Sequence, residues 1–279
     1  YKAFEGVCGN LMKSLKLAVV GKDVSKSQSP QIQNFIARKL GCTVDYQGLS
    51  VAEEEFSAVA PALFGRLDGF NVTIPYKLAI LPYLEKTEGD AVAFGAVNTV
   101  KCSTKCGYNT DGLGFALMLK NAGVDVNGKD VLVLGAGGAG RSAVKKLVDG
   151  GARVTLYSRT VDKAKAVANT FKGVICAGQL QLKPYYAVIN ATGVGMHNTV
   201  GESPVDKDLL GLCEVAIDLI YEPRKSRFLQ LAEECGKKTV NGLAMLFYQA
   251  YYAACIFADM PADERTAERL FEEYKREVL

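Results

Sequence analysis

Short apolar runs rich in valine, isoleucine and leucine recur along the chain, and stretches with helical periodicity separate them. These runs are residues 15–21, 44–51, 69–74, 130–135, 153–158, 186–191 and 215–220. Most of them are continuous rather than alternating, which indicates strands buried on both faces, and hence parallel sheets covered by helices. We predict the α/β fold class.

Two helical stretches have recognisable ends or faces. Residues 29–41 open with Ser29, a candidate N-cap, and with Pro30, which suits the first turn, and they close on Gly41. Residues 262–279 predict an amphipathic helix with its charges opposite one apolar face. That face consists of Leu270, Phe271, Tyr274 and Val278.

The longest apolar stretch, Leu243 to Ala258, is too short and too polar for a membrane span. Its sixteen residues include Gln249 and three tyrosines, which favours a buried helix. The start of the chain has no charged-then-apolar pattern typical of a signal peptide. We therefore expect no membrane partner and a cytoplasmic protein.

Composition narrows the class further. A chain of 279 residues predicts one large or two ordinary domains. A hydrophobic content of 49% and a charged content of 23% exclude disordered and fibrous classes. Lysine and arginine total 33 against 30 acidic residues, so the basic excess of a nucleic-acid-binding protein is missing.

The eight cysteines predict free thiols in a reducing compartment. None forms a CxxC pair and the chain has one histidine, His197, so the residues offer no zinc-type cluster. A chain of this length and hydrophobicity needs no disulfides for stability. We expect no metal, and we interpret His197 as a turn residue.

Residues 131–141, VLVLGAGGAGR, run from a strand into a glycine turn and then into a predicted helix at 141–151. Gly135, Gly137 and Gly140 fit the GxGxxG spacing. Such glycines permit a tight turn and let backbone amides approach a pyrophosphate at a helix N-terminus. The context of strand, turn, helix and second strand favours a Rossmann dinucleotide site over an ordinary glycine turn.

The end of the next strand distinguishes the two nicotinamide cofactors. An NAD enzyme usually has an acidic residue there, which binds the ribose hydroxyls. This chain has Ser158, Arg159 and Thr160, with Lys163 close behind. A guanidinium matches a 2′-phosphate in charge and geometry, so we predict NADP, although a surface arginine in a turn is the alternative.

Three further stretches carry polar residues in unusual density, and each has a plain structural interpretation as well. In 24–30, Ser27 and Ser29 are either carboxylate ligands or a turn residue and an N-cap. In 71–77, Lys77 is either functional or a surface lysine. In 96–112, Asp111 is either functional or the N-cap of the following helix.

Together these stretches resemble the shikimate dehydrogenase family. The motifs that carry the resemblance are SQSP (27–30), NVTIPYK (71–77), AVNT (96–99), NTDG (109–112), GAGGAGR (135–141), NATGVGM (190–196), DLIYEP (218–223) and NGLAMLFYQA (241–250). They occur in the family's order and cover nearly the whole chain. The resemblance implies NADP-dependent, reversible reduction of 3-dehydroshikimate to shikimate in aromatic amino acid biosynthesis.

The resemblance also implies roles for individual residues. Lys77 and Asp111 match the catalytic pair, in which Asp111 would orient the Lys77 ammonium that protonates the reduced ketone. The matched substrate-binding residues are Ser27, Ser29, Thr73, Asn98, Tyr221 and Gln249. The matched cofactor-binding residues are Gly135, Ala136, Gly137, Gly138, Ala139, Ser158, Arg159, Thr160, Lys163, Thr192, Gly242 and Met245.

For Gln249 the residues give an independent argument. As the one amide in its apolar stretch it should meet a hydrogen-bonding group, either a substrate hydroxyl or the backbone of a neighbouring element.

The family's domain plan implies a discontinuous substrate domain. An α/β substrate-binding domain, 1–110, would be completed by the C-terminal helices of 243–279, and a Rossmann NADP-binding domain would span 111–242. Substrate and nicotinamide would meet between the domains. We expect shikimate or 3-dehydroshikimate as the partner, no nucleic acid, and a monomer or homodimer.

Three residues depart from the family pattern. Lys26 stands where histidine is common, Ser158 where asparagine is common, and Tyr76 where phenylalanine is common. The closest alternative is an NAD-preferring quinate/shikimate dehydrogenase, which Arg159 argues against. A non-catalytic nucleotide-binding protein would have lost Lys77 or Asp111, and a methylene-tetrahydrofolate dehydrogenase-like enzyme would not explain the two serines and the NTDG motif.

Overall fold

The computed structural model describes residues 14–279, so Cys8 lies outside the described residues. The chain divides into two compact units. The first runs to Thr110 and resumes at Ala250–Leu279, and the second is Asp111–Gln249. Among the described helices, none has the length and apolarity needed to cross a membrane.

The first unit contains a six-stranded sheet. Its strands are β1 (Leu15–Gly21), β2 (Val44–Ser50), β3 (Gly69–Val72), β4 (Lys86–Thr87), β5 (Thr99–Lys101) and β6 (Cys106–Tyr108). Its helices are α1 (Ser29–Lys39), α2 (Phe56–Arg66), α3 (Asp90–Phe94), α10 (Glu264–Glu277) and the second half of α9 (Leu243–Phe257). The strand order is β2-β1-β3-β5-β6-β4.

This sheet is mixed, which corrects the expectation of parallel sheets alone. Strands β1, β2 and β3 are parallel, but β5 pairs antiparallel with both β3 and β6. The hairpin of β5 and β6 escaped the sequence pattern because each strand has three residues, too few to establish a period.

Strand β1 separates two apolar layers, as the alternation of side chains along a strand requires. Ala18 and Val20 pack in one cluster with α2, and Leu17 and Val19 pack in another with the C-terminal half of α9. A Cβ atom on Gly69 would lie 2.6 Å from the Phe257 ring, so glycine permits the close approach of β3 and α9. The apolar face predicted for the last helix is largely buried, with Leu270, Phe271 and Tyr274 among its buried residues.

The second unit contains a parallel sheet. Its strands are β7 (Asp130–Leu134), β8 (Arg153–Tyr157), β9 (Ile175–Ala177), β10 (Tyr185–Asn190), β11 (Cys213–Asp218) and β12 (Lys238–Asn241). Its helices are α4 (Asp111–Asn121), α5 (Gly138–Asp149), α6 (Val161–Thr170), α7 (Lys207–Leu210), α8 (Arg227–Glu234) and the first half of α9. The order β12-β11-β10-β7-β8-β9 is the doubly wound Rossmann order, whose direction reverses between β7 and β10.

Several element ends differ from the sequence predictions. Ser29 is the first residue of α1 and Gln28 occupies the N-cap position, so the N-cap interpretation of Ser29 is wrong. Asp111 likewise opens α4 rather than preceding it. Helix α5 begins at Gly138 and not at Arg141, so Gly140 belongs to its first turn, where the absence of a Cβ permits close packing on Gly135.

Candidate active site

In the first unit, the loops after β1 and β3 lie side by side at the carboxyl edge of the sheet. The two strands are parallel neighbours, so both loops leave the same edge. A Cβ atom on Gly21 would lie 2.5 Å from Thr73 Cγ2, and the Lys22 amide donates a hydrogen bond to the Ile74 carbonyl at 3.2 Å. The start of the loop that carries the serine motif therefore packs against the NVTIPYK motif.

The Ser27 hydroxyl accepts one hydrogen bond within its own loop. The donor is the Ser29 amide at 3.2 Å, and the Ser27 amide donates to the Val24 carbonyl at 3.0 Å. Both serines are half-buried, whereas Lys26 beside them is exposed. An oxygen that already accepts one bond can still donate its proton, so the loop offers hydroxyl donors with a cation nearby.

Asn98 lies at the centre of a buried polar network at the same edge. Its Oδ1 accepts hydrogen bonds from the Thr110 amide at 2.9 Å and from the Thr99 hydroxyl at 2.8 Å. Asn71 Nδ2 donates to the Asn98 carbonyl and to Thr99 Oγ1, both at 3.0 Å. The Tyr46 hydroxyl closes the network by donating to Asn71 Oδ1 at 2.7 Å. Three of the family motifs are thus tied together by their own amides and hydroxyls.

The proposed catalytic residues belong to different units. Lys77 is half-buried, and its carbonyl accepts a hydrogen bond from the Val97 amide at 2.9 Å. The Lys77 backbone is thereby joined to the residue before Asn98. Asp111 is 8% exposed and is the first residue of α4. It follows Thr110, whose amide is held by Asn98.

In the second unit, the glycine loop after β7 has the properties of a phosphate cradle. Gly135 has a φ of +107°, and a Cβ atom on Gly140 would lie 2.1 Å from the Gly135 carbonyl oxygen. Gly137 is exposed, and a Cβ atom placed on it would have no neighbour within 4 Å. Helix α5 has no side-chain cap and no acidic residue in its first turn, so its amides can bind an anion. Between Gly135 and Gly140 lie Ala136, Gly138 and Ala139.

The end of β8 presents a basic surface. Arg159 and Lys163 are exposed, and Ser158 is half-buried. Thr160 is the N-cap residue of α6 but makes no side-chain cap, which leaves its hydroxyl available. These residues fit a 2′-phosphate by charge and hydrogen-bonding capacity.

Thr192 lies beside the glycine loop at the point where the sheet order reverses. Its amide and hydroxyl donate to Asn190 Oδ1 at 3.0 and 2.6 Å. A Cβ atom on Gly135 would lie 2.7 Å from the Ala191 carbonyl oxygen and 3.1 Å from Thr192 Cγ2. Ligands of open α/β sheets bind at this switch point, and the structure brings two of the predicted cofactor segments together there.

The remaining predicted residues of this unit lie on and around the start of α9. A Cβ atom on Gly242 would lie 2.3 Å from the Leu219 carbonyl oxygen, so the loop that leads to Tyr221 packs directly on Gly242. Met245 is buried. The burial of Tyr221 raises the pKa of its own hydroxyl. Gln249 is half-buried rather than buried, and its Nε2 donates to the Leu246 carbonyl of its own helix at 2.9 Å. The premise of a buried amide was therefore wrong.

His197 and the cysteines lie outside these clusters. His197 opens a short 3-10 turn with a φ of +51°, as its interpretation as a turn residue predicts. The cysteines that the structure describes are free thiols, four of them buried.

Sequence reasoning missed several polar residues that organise the site. Asn71, Thr99 and Thr110 stood inside quoted motifs without an assigned role, and Asn190, Asp218 and Ser226 form a second buried network in the Rossmann unit. A usable signal existed, because Asn190 and Asp218 are the polar last residues of strands in which the three residues before them are apolar and buried. Such positions place a side chain at the ligand-binding edge of a parallel sheet.

The fold and these clusters define a Rossmann dinucleotide-binding protein with a second, polar-edged α/β unit. The sequence matches the family described as shikimate dehydrogenase substrate binding domain over residues 19–100, and the one described as shikimate / quinate 5-dehydrogenase over 116–207. Shikimate dehydrogenase (NADP(+)) of Carboxydothermus hydrogenoformans is 38% identical over 251 residues, which cover 84% of this chain and 88% of that protein.

Solved structures give the same result. Shikimate dehydrogenase 1 of Peptoclostridium difficile is 34% identical, with a TM-score of 0.85 over 94% of this chain and 98% of that one. The Thermus thermophilus shikimate 5-dehydrogenase in complex with NADP(H) and shikimate is 33% identical, with a TM-score of 0.83 over 93% and 99%. The chain belongs to the shikimate dehydrogenase family, and the resemblance and the α/β fold class predicted from the sequence are confirmed.

Proposed function

We propose that the protein catalyses the reversible NADP(H)-dependent reduction of 3-dehydroshikimate to shikimate, a step of aromatic amino acid biosynthesis. The observation that carries the proposal is the gathering of family motifs at two sheet edges. One edge bears serine, threonine and lysine side chains around a buried amide network, and the other bears an uncapped helix N-terminus beside a basic strand end. The relatives named above supply the substrate and the cofactor by analogy.

The first unit is proposed as the substrate domain and the second as the NADP domain. Ser27 and Ser29 would donate hydrogen bonds to the substrate carboxylate, which their half-buried loop at the sheet edge permits. Thr73 and Asn98 would bind the ring hydroxyls. Tyr221 and Gln249, from the second unit, are proposed to complete the substrate contacts, although Gln249 Nε2 already donates to Leu246.

NADP is proposed to bind along the carboxyl edge of the Rossmann sheet. The uncapped amides of α5 would hold the pyrophosphate, and Arg159 with Ser158, Thr160 and Lys163 would hold the 2′-phosphate. The segments around Thr192, Gly242 and Met245 would flank the nicotinamide, which supplies or accepts the hydride when it is bound.

The protein's own chemical contribution is proposed to be a proton at the substrate oxygen. In the reducing direction the Lys77 ammonium would polarise the ring ketone and deliver a proton to the oxygen that becomes the hydroxyl. In the oxidising direction the neutral amine would take that proton back. Asp111 would accept a hydrogen bond from the ammonium and so fix its direction.

The direct test is shikimate oxidation followed by nicotinamide absorbance, with NADP⁺ and NAD⁺ in turn and with quinate as the second substrate. We expect strong preference for NADP⁺ and shikimate. Comparable rates with NAD⁺ and quinate would favour the NAD-preferring quinate/shikimate dehydrogenase, whose acidic strand end this chain lacks. No oxidation of either substrate would contradict the proposal.

We also propose that the enzyme is cytoplasmic and that it is a monomer or a homodimer. Free thiols, four of them buried, suit a reducing compartment. Light scattering coupled to size-exclusion chromatography would give the mass, and a stable tetramer would contradict the expected assembly.

A further inference from the structure

Asp218 is a fully buried carboxylate at the carboxyl edge of the Rossmann sheet, and the proposed chemistry gives it no role. It is the last residue of β11 and is 0% exposed. Its Oδ1 accepts hydrogen bonds from Asn190 Nδ2 and from the Ile220 amide, both at 3.0 Å. Its Oδ2 accepts a hydrogen bond from the Ser226 hydroxyl. A buried carboxylate among neutral donors is costly, so its donors must be held in place for it to be tolerated.

One arm of this network leads to the glycine loop. Asn190 donates to Asp218 and to the Val194 carbonyl at 3.1 Å, while its Oδ1 holds the amide and hydroxyl of Thr192. The Ala191–Thr192 segment in turn packs so closely on Gly135 that a Cβ atom at this position would clash with it. Asp218 therefore fixes the Asn190 amide, and the Asn190 amide fixes the turn that closes one side of the phosphate cradle.

The other arm leads to the loop that carries Tyr221 and to the start of α9. Ser226 is the N-cap of α8, and its hydroxyl also accepts from the Leu229 amide at 3.3 Å. The Ile220 carbonyl accepts hydrogen bonds from the Gly242 amide at 3.2 Å and from Asn241 Nδ2 at 3.1 Å. Both ends of the 219–226 loop are thus anchored on Asp218, and its Ile220 carbonyl supports the turn before α9.

We propose that Asp218 is a positioning residue for the cofactor, which sets the Thr192 turn and the 219–226 loop in register with each other at the nicotinamide end of the site. This inference rests on the proposed function for the identity of the cofactor. It follows that loss of the carboxylate weakens NADP⁺ binding although Asp218 touches neither cofactor nor substrate.

The bonds that Asp218 accepts show which substitution is conservative and which is disruptive. In Asp218→Asn, the amide oxygen can accept the bonds from Asn190 and Ile220, and its NH₂ group can donate to Ser226, whose oxygen has a second lone pair. Asp218→Ala instead leaves the Ile220 amide, the Ser226 hydroxyl and one of the two Asn190 Nδ2 protons without an acceptor. The first variant should preserve the register of the two arms and the second should lose it.

The experiment measures the NADP⁺ dissociation constant of the full-length protein by calorimetry, together with kcat and the KM values for NADP⁺ and shikimate. For Asp218→Ala we expect Kd and KM for NADP⁺ to rise about tenfold or more, with a smaller rise in the shikimate KM because Tyr221 lies on the 219–226 loop. Asp218→Asn should stay within about threefold of wild type. Leu209→Ala, in the apolar cluster of the same unit, is the control that lowers stability without touching the network.

A purely structural role predicts a different result. If Asp218→Ala and Leu209→Ala lower the urea midpoint to a similar extent and both bind NADP⁺ as tightly as wild type, the proposal is overturned. If Asp218→Ala does not fold, Ser226→Ala removes one donor to Asp218 together with the N-cap of α8, and an unchanged Kd in that variant overturns the proposal as well. Calorimetry keeps the two inferences apart, because inactive wild type that binds NADP⁺ would contradict the shikimate activity and leave this test intact.

Discussion

The two sheet edges solve the problem of buried polar groups in different ways. At the edge of the first unit, the buried side chains of Asn71, Asn98 and Thr99 are neutral and pair donors with acceptors among themselves. At the edge of the Rossmann unit, Asp218 brings a carboxylate into an equally buried position and surrounds it with neutral donors.

The difference teaches which edge depends on pH. The amides and hydroxyls of the first edge neither gain nor lose a proton near neutrality. The geometry of this network, which supports the Lys77 backbone, should therefore not change with pH. A buried carboxylate with no cation among its hydrogen-bond partners has a folded-state pKa well above the unfolded value. Burial raises the pKa of Asp218 from 3.8 to about 6. Changes at the first edge should therefore lower turnover, and changes at the second should lower the stability of the fold and the affinity for the cofactor.

The largest effect should come from Lys77→Ala. Removal of a general acid costs about 10²–10⁴-fold in kcat, and the half-buried side chain projects from a backbone held by Val97, so the urea midpoint should stay near that of wild type. Lys86→Ala, which removes a lysine paired with Glu88 in the same unit, should keep wild-type kcat. Turnover above half of wild type in Lys77→Ala would remove this residue from the mechanism.

The pH dependence of stability should separate the two edges. Between pH 3.8 and about 6 the folded protein keeps a proton on Asp218 that the unfolded chain has released. The contribution of this residue to the free energy of unfolding therefore falls as pH rises through that window, by on the order of 2–3 kcal/mol.

Urea denaturation of wild type and Asp218→Asn across this range is the measurement, since the asparagine cannot titrate. The difference between their unfolding free energies should grow in favour of Asp218→Asn as the pH increases. Asn98→Ala is the counterpart at the other edge, with a loss of about 1–3 kcal/mol that does not vary with pH. Parallel pH curves for wild type and Asp218→Asn would show that the carboxylate titrates normally.

A cofactor-specific effect should follow from Arg159→Ala. A charge-assisted hydrogen bond contributes about 1.5–3 kcal/mol, so the affinity for NADP⁺ should fall about 10–100-fold while that for NAD⁺ stays constant. Arg153→Ala is the matched control, because Arg153 begins the same strand and pairs with Asp130. Equal losses for both cofactors would assign Arg159 a general role in binding rather than recognition of the 2′-phosphate.

The sequence pattern predicted the strands that are long and apolar. It did not predict the short strands, which form only because a partner strand from elsewhere in the chain pairs with them. Strands β1, β7 and β11 were found because five or more residues establish a buried run. Strand β4, with two residues, exists because β6 supplies its partner, which no local pattern contains. The glycine loop could be located from its spacing.

The hydrogen-bond partners of the site residues could not be predicted from the sequence for a related physical reason. Asn98 and Thr110 are twelve positions apart, and Asn190 and Asp218 are twenty-eight apart. The order of the strands alone brings each pair together. Gln249 was misjudged because composition shows that a stretch is apolar but not which face of the helix remains partly exposed.

The smallest effect should come from Lys26, the departure from the family pattern beside the serine loop. Within the described residues Lys26 is exposed and makes no hydrogen bond or ion pair, whereas Lys22 in the same loop is bound to Glu53 at 2.6 Å. A free cation near hydroxyl donors should attract a carboxylate, and exposure limits that attraction to about 1 kcal/mol or less. Lys26→Gln should therefore raise the shikimate KM about two- to fivefold at low salt, with kcat unchanged, and the difference should shrink at high salt. Lys22→Gln changes the net charge equally, so an identical KM shift in both variants would mean that the overall field, and not the position of Lys26, attracts the substrate.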